Sequence, residues 1–179
     1  AARSKAQGKT EQARTEARRA VSLAAARTQA LSSITQGMGQ AAGRTRSKAS
    51  LETYRDLSKS VAKALSDERD ATKVALETAE SSEERKQLRS QGRHALLMQI
   101  FHLIEAGEYD EAQEKLEALD DAKDKAFKTQ LALHGYARMH QELQAETEAG
   151  GMKEAADRKA WRSLQDDFLR LAETWAQDK

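Results

Sequence analysis

Apolar side chains are densest between residues 96 and 109. They recur there every three or four residues, which predicts a helix with one apolar face. Gly107 can take the left-handed conformation that ends a helix, and the acidic residues after it suit the start of a second helix. Residues 97–119 are therefore predicted to form a helical hairpin. The apolar face of its first helix consists of Leu97, Ile100, Phe101 and Ile104.

The same periodicity predicts helices over most of the chain. They cover residues 47–80, 83–106, about 121–148, and a last segment ending near the C-terminus. Ser81 and Glu84 have the spacing of a capping box, which marks a helix start. The predicted apolar positions of the last two helices are Phe127, Leu131, Leu133, Tyr136, Met139 and Leu143, then Trp161, Leu164, Phe168, Leu171 and Trp175.

The first 50 residues show a heptad stripe made mostly of alanine. Small side chains bury little area but allow helix backbones to approach closely. We interpret the stripe as an interface between copies of the chain; a surface helix with chance alanine periodicity is the alternative. The predicted interface residues are Ala13, Ala17, Ala20, Ala24, Leu31, Ile34 and Met38.

Residues 20–43 carry a single charge, Arg27. The segment is long enough to span a bilayer but poor in large apolar residues, so a conventional span is not expected. A helix that lines a polar channel, or one that inserts only on assembly, is the alternative for these residues. Residues 37–43 match the Gly-x-Gly-x-x-Ala pattern of dinucleotide sites, yet no buried strand precedes them. Because three glycines weaken a helix, we predict a kink or hinge there.

Composition favours a fold without strands. The chain has no proline and no cysteine, which suits long helices, excludes disulfides and thiolate metal sites, and fits a cytoplasmic or virion protein better than an oxidising compartment. Residues 1–50 carry a net charge of +8, and residues 96–179 carry −7. This asymmetry suggests head-to-tail contact between copies, or an anionic partner for the basic segment.

One motif and the overall composition of the sequence resemble known classes of protein. Gly107-x-Tyr109-x-x-Ala112, followed by Leu116, resembles the inter-helix turn of a tetratricopeptide (TPR) repeat over residues 97–119 only, which implies a groove for a partner helix or peptide. The proline-free mixture of Ala, Gln, Ser and Arg resembles, in composition, the internal virion or ejection proteins of short-tailed phages. That second resemblance implies a virion component.

No pattern for catalysis or cofactor binding is found. None of the four histidines has metal-ligand spacing, and His102 and His134 lie on apolar helices, where hydrogen-bonded core or boundary positions are expected. We predict no enzyme, cofactor or metal. Nucleic acid is a rival partner for the basic segment, without sequence specificity. Its predicted contacts are Arg14, Arg18, Arg19, Arg44, Arg46 and Lys48.

The sequence as a whole predicts an all-α protein with two parts. Residues 1–80 form an extended helical arm and residues 81–179 form a helical body that includes the TPR-like hairpin. We expect a structural or assembly subunit of a large complex, a virion or secretion-type machine, that self-associates through the arm. The alternatives are a TPR-like adaptor, and an arm that binds nucleic acid or membrane during assembly or ejection.

Overall fold

The computed structural model describes residues 2–45, 47–119, 121–148 and 155–177, in which six helices and no strand occur. The predicted all-α fold is confirmed. The chain divides into two compact units, residues 1–102 and 103–179, and the division falls within α3. The helices are α1 (Ala2–Thr45), α2 (Lys48–Thr78), α3 (Ser82–Ala106), α4 (Tyr109–Glu117), α5 (Asp121–Glu148) and α6 (Ala155–Gln177).

The first unit is a helical hairpin with most of α3 packed on it. Arg27 of α1 meets Asp67 of α2, and Gly39 lies against Tyr54, so the two helices run antiparallel. One apolar cluster joins α1 and α2 to Leu88 of α3, and a second joins α2 to Ala95 of α3. Residues 1–80 therefore fold back on themselves, and the division between units lies after residue 102 rather than at the predicted residue 80.

The ends of α1, α2 and α3 follow local chemistry. The Ser47 hydroxyl accepts a hydrogen bond from the Ser50 backbone N–H at 3.2 Å, which caps α2. Ser81 Oγ accepts from the Glu84 N–H at 3.0 Å, as the capping-box prediction requires. Helix α1 continues through residues 37–43 without a break, so the chain turns after Thr45 and not at the predicted hinge.

The end of α3 is a Schellman motif, confirming the predicted role of Gly107. Its φ is +81°, a conformation that favours glycine. The Glu108 N–H donates to the Leu103 carbonyl at 2.9 Å, and the Gly107 N–H donates to the Ile104 carbonyl at 3.1 Å. Helix α4 starts two residues later with acidic side chains in its first turn, so the predicted helix–turn–helix is present.

The second unit has a core built around one aromatic side chain. Phe168 is fully buried, and its ring centroid lies 6.4 Å from that of Tyr109 in an edge-on arrangement. A Cβ at Gly135 would lie 2.5 Å from Phe168 Cε1, so α5 has glycine where the ring rests on its backbone. Ile104 and Leu116 are also fully buried. These residues form the structural centre of residues 103–179.

Some residues of the predicted apolar helix faces are only partly buried or are exposed. Trp161 is half-buried, its centroid 5.9 Å from that of Tyr109, and Phe101 is half-buried in the first unit. The side chains of Leu171 and Trp175 lie outside the described residues. On α5, Phe127 and Leu133 are 49% and 48% exposed. The prediction was wrong there because the buried face of α5 carries Asp124, Lys128, Ala132, Gly135 and Met139.

Candidate self-association surface

One face of α1 packs against the rest of its own unit, and we call it the inner stripe. Its positions alternate at spacings of three and four residues, as in a coiled-coil seam. Most of its side chains are small, so the backbones of α1 and α2 can lie close together. All of them are buried or half-buried. The inner stripe consists of Arg14, Ala17, Val21, Ala24, Thr28, Leu31, Thr35, Met38 and Ala42.

Threonine serves as an apolar residue in this seam. The buried hydroxyl of Thr28 donates to the Ala24 carbonyl at 3.0 Å, and that of Thr35 donates to the Leu31 carbonyl at 2.8 Å. Each hydroxyl is satisfied within its own helix, so the methyl group is free to face α2 or α3. Buried threonines at these positions therefore need no polar partner from another helix.

A second stripe, with the same alternating spacing, lies one residue earlier at each position, about 100° around α1 from the inner stripe, and we call it the outer stripe. Every one of its side chains is exposed, including Leu23 at 65% and Ile34 at 55%. Its only charges are those of Glu16 and Arg27. The outer stripe consists of Ala13, Glu16, Ala20, Leu23, Arg27, Ala30, Ile34, Gly37 and Ala41.

The exposed face of α2 differs sharply from the outer stripe. It carries charged side chains of both signs along its whole length, which is the ordinary composition of a solvated helix face. Val74, 54% exposed, is an isolated apolar residue among them. The exposed charged residues of α2 are Lys48, Glu52, Asp56, Lys59, Lys63, Asp67, Asp70, Lys73 and Glu77. The scarcity of charge is thus a property of the outer stripe.

The predicted interface residues fall on two faces of α1. Ala17 belongs to an apolar cluster with α2 and α3, and Leu31 packs against another such cluster, so both contact their own chain. Ala24 and Met38 are half-buried on the same inner stripe. Ala13, Ala20 and Ile34 are exposed on the outer stripe. Only these three remain accessible to a second molecule.

Several predicted anion contacts already have carboxylate partners. Arg14 pairs with Glu80 and donates from Nε to the Thr78 carbonyl at 3.1 Å. Arg18 lies 2.7 Å from Glu84, and Lys48 lies 3.9 Å from Glu52. Arg19 is exposed, whereas Arg46 and the side chain of Arg44 lie outside the described residues. The positive charge of α1 is therefore partly offset by the carboxylates of Glu80 and Glu84.

The Arg18–Glu84 pair has an electrostatic consequence. The hydrogen bond from the Arg18 guanidinium holds the pKa of Glu84 below its ordinary value of 4.5, and the Glu80 backbone N–H acts in the same direction. Desolvation of the carboxylate opposes both effects. Because the Glu84 backbone N–H also donates to the Ser81 hydroxyl that caps α3, the pair ties α1 to the start of α3.

A neutral cleft lies in the first unit beside Gly39. It encloses about 470 Å³ and is lined by Tyr54, Met98, Phe101 and His102 together with uncharged α1 side chains. A Cβ at Gly39 would lie 2.9 Å from Tyr54 Cε2, so glycine allows the tyrosine ring to approach α1. The cleft has an apolar lining with polar groups but no charged side chain, and it suggests no reaction.

His134 is part of an ionic cluster in the second unit. Its Nε2 lies 2.7 Å from Oε1 of the buried Glu105, and Arg138 Nε lies 3.5 Å from the same oxygen. Arg138 also approaches Glu142 at 3.8 Å. The sequence interpretation of His134 as a hydrogen-bonded boundary residue is confirmed. The cluster joins the end of α3 to α5.

No family model, curated protein or solved structure matches this chain. Among the helices in the part of the chain that the structure describes, none is long and apolar enough to cross a membrane. Within that same part, no group of three or more His, Asp or Glu side chains is arranged to hold a metal ion. The outer stripe of α1 is therefore the feature on which a functional proposal can be built.

Proposed function

We propose that this chain is a non-enzymatic structural or assembly subunit of a large multi-subunit complex, such as a virion or a secretion-type machine. Copies associate through α1. The observation that carries the proposal is the outer stripe, where Leu23 and Ile34 are exposed and the only charged residues are Glu16 and Arg27. A helix face that stays in water normally carries charged side chains, as α2 does.

The energetics favour burial of the outer stripe by another molecule. Fully burying a leucine or isoleucine side chain contributes about 1.5–3 kcal/mol. Single exposed apolar residues are common on proteins and need no partner. Here, however, two large residues lie on one stripe with Ala20, Ala30 and Ala41, so a facing helix could cover them together. That arrangement supports association rather than chance exposure.

The test replaces both large residues of the outer stripe with aspartate. We expect Leu23→Asp with Ile34→Asp to abolish self-association of the intact chain, measured by light scattering over a range of concentrations. The matched control is Val74→Asp, which changes an equally exposed residue on the charged face of α2. Circular dichroism of both variants reports retained helicity.

The outcome distinguishes this proposal from its rivals. If the double variant associates like the wild type, or if Val74→Asp is equally disruptive, the outer stripe is not the interface. The TPR-like adaptor and the arm that contacts nucleic acid or membrane remain predictions from the sequence. The pairing of Arg14 and Arg18 with carboxylates reduces the positive charge that an anionic partner would meet.

A further inference from the structure

We propose that α1 pairs antiparallel with α1 of a second copy, about a two-fold axis that passes between Thr28 and Gln29. This inference rests on the proposed self-association and specifies its partner surface and register. A two-fold interface uses the same patch on both copies, so the outer stripe has to be complementary to itself. Its sequence meets this condition in one antiparallel register.

In that register, positions whose residue numbers add up to 57 lie opposite each other. Leu23 of each copy then faces Ile34 of the other, which buries the two large side chains against each other twice. Ala20 faces Gly37 of the partner copy, so small residues meet small residues beside the large ones. This alternation allows the helix axes to approach to about 8 Å while the large side chains interdigitate.

The charge of Arg27 selects the antiparallel arrangement. In a parallel, in-register pair, the two Arg27 side chains would face each other and repel. In the antiparallel register, Arg27 faces Ala30 of the partner copy, and its aliphatic stem can cover that methyl group. The guanidinium can keep its ion pair with Asp67 of its own chain, at 3.0 Å. Antiparallel helix dipoles also attract rather than repel.

The small area of the outer stripe limits the expected strength of the dimer. Glu16 and Ala41 are separated by about 37 Å along the helix axis, at about 1.5 Å per residue. A strip of that length and about 10 Å in width covers about 400 Å² on each copy, which is at the low end for specific interfaces. We therefore expect a weak dimer that forms as the concentration rises, or when copies are held together in a larger assembly.

Disulfide crosslinking tests the register, because the chain contains no cysteine of its own. The Leu23→Cys and Ile34→Cys variants are prepared separately, mixed, and oxidised. Mass spectrometry then measures the yields of the mixed dimer and of each homodimer. We expect the mixed dimer to exceed either homodimer about tenfold, because a disulfide needs Cα atoms within about 7 Å. Two copies of position 23 would lie about 16 Å apart along the axis in this register.

Ser33→Cys is the matched control. Ser33 is exposed on α1 next to Ile34 but off the outer stripe, so its crosslinks report random collision. A predominance of Leu23→Cys homodimers would overturn the antiparallel register and leave self-association through α1 intact. Mixed dimers no more frequent than those of the control, from a chain that still dimerises, would overturn the proposed surface. A wild-type chain that stays monomeric at every concentration would instead refute the proposed function.

Discussion

Helix α1 and the second unit bury their apolar side chains in different ways. In residues 1–102, α1 packs through alanine, valine and threonine spread along a stripe of nearly 30 residues, from Arg14 to Ala42. In residues 103–179, Phe168, Met139, Leu116 and Ile104 are fully buried, and aromatic rings meet edge-on. Helix α1 thus packs through many small contacts, whereas the second unit concentrates burial in a few large side chains.

This difference affects both stability and surface. A core made of large side chains depends on each of them, because removing one leaves a cavity. A stripe of small side chains loses little at any single position, but it also buries little apolar area. In α1 the apolar residues are divided between two faces, and Leu23 and Ile34 are left outside. Because the apolar residues of α1 are divided in this way, its inner stripe buries little apolar area and its outer stripe keeps apolar side chains available for a partner.

The largest expected effect comes from the aromatic core. Phe168→Ala should lower the free energy of unfolding by about 3–5 kcal/mol, because it removes a fully buried ring. Chemical denaturation followed by circular dichroism measures the change. Phe127→Ala is the control, since Phe127 is half-exposed and its loss should cost far less. Equal costs for both variants would contradict the placement of Phe168 at the centre of the core of the second unit.

A smaller effect is expected at two glycines that contact aromatic rings. Gly135→Ala should cost about 1–3 kcal/mol, because its Cβ would overlap the fully buried Phe168 ring. Gly39→Ala should cost less, since Tyr54 is only half-buried and its ring can move outward. Thermal unfolding of the two variants, side by side, measures the difference. Greater destabilisation by the Gly39 substitution would show that α1 packs as tightly as α5.

The inner stripe of α1 should tolerate the loss of a threonine hydroxyl with little change in stability. Thr35→Val keeps the shape of a fully buried side chain and removes a hydroxyl whose partner is a carbonyl of the same helix. We expect the stability to change by less than about 1 kcal/mol, because donor removal leaves a carbonyl that helix bonding already satisfies. A larger loss in denaturant unfolding would mean that the hydroxyl has a role beyond its own helix.

The smallest effect concerns the Arg18–Glu84 pair. Because its folded pKa lies below 4.5, ionised Glu84 contributes stability that is complete above that value and is lost as the pH falls through the folded pKa. The stability difference between wild type and Glu84→Gln should therefore shrink on acidification below about pH 4.5. NMR titration of the carboxylate should show its pKa rising in Arg18→Gln. An unchanged Glu84 pKa in that variant would show that the hydrogen bond from Arg18 does not lower it.

Helix positions could be predicted from sequence because their signals are local. Gly107 and the Ser81–Glu84 pair end and start helices through bonds to neighbours within a few residues. Residue spacing alone could not select the face of α1 that packs inward. Two stripes of α1 that are one residue apart have the same heptad spacing and are both rich in alanine. The structure buries the stripe that contains Val21, Thr28 and Thr35 and leaves the stripe that contains Ile34 exposed.

The buried face of α5 shows the same limit. Lys128 and Asp124 are buried there while Phe127 is exposed, the reverse of what hydrophobicity indicates. Such an arrangement depends on which partners the fold supplies to polar groups, and sequence spacing carries no information about that. For the candidate interface, the sequence identified α1 and the low charge of its residues 20–43. The outer stripe needed the structure, because only the packing of α2 and α3 shows which face stays exposed.

Sedimentation equilibrium of the intact wild-type chain, across a range of concentrations and at about 0.1 M and about 1 M salt, tests the central claim most directly. The outer stripe has few charges, so we predict a reversible monomer–dimer equilibrium that persists at the higher salt concentration. Head-to-tail contact between the basic residues 1–50 and the acidic residues 96–179 would instead weaken with salt. A chain that is monomeric at all concentrations, or a dimer that dissociates at about 1 M salt, would contradict association through the outer stripe of α1.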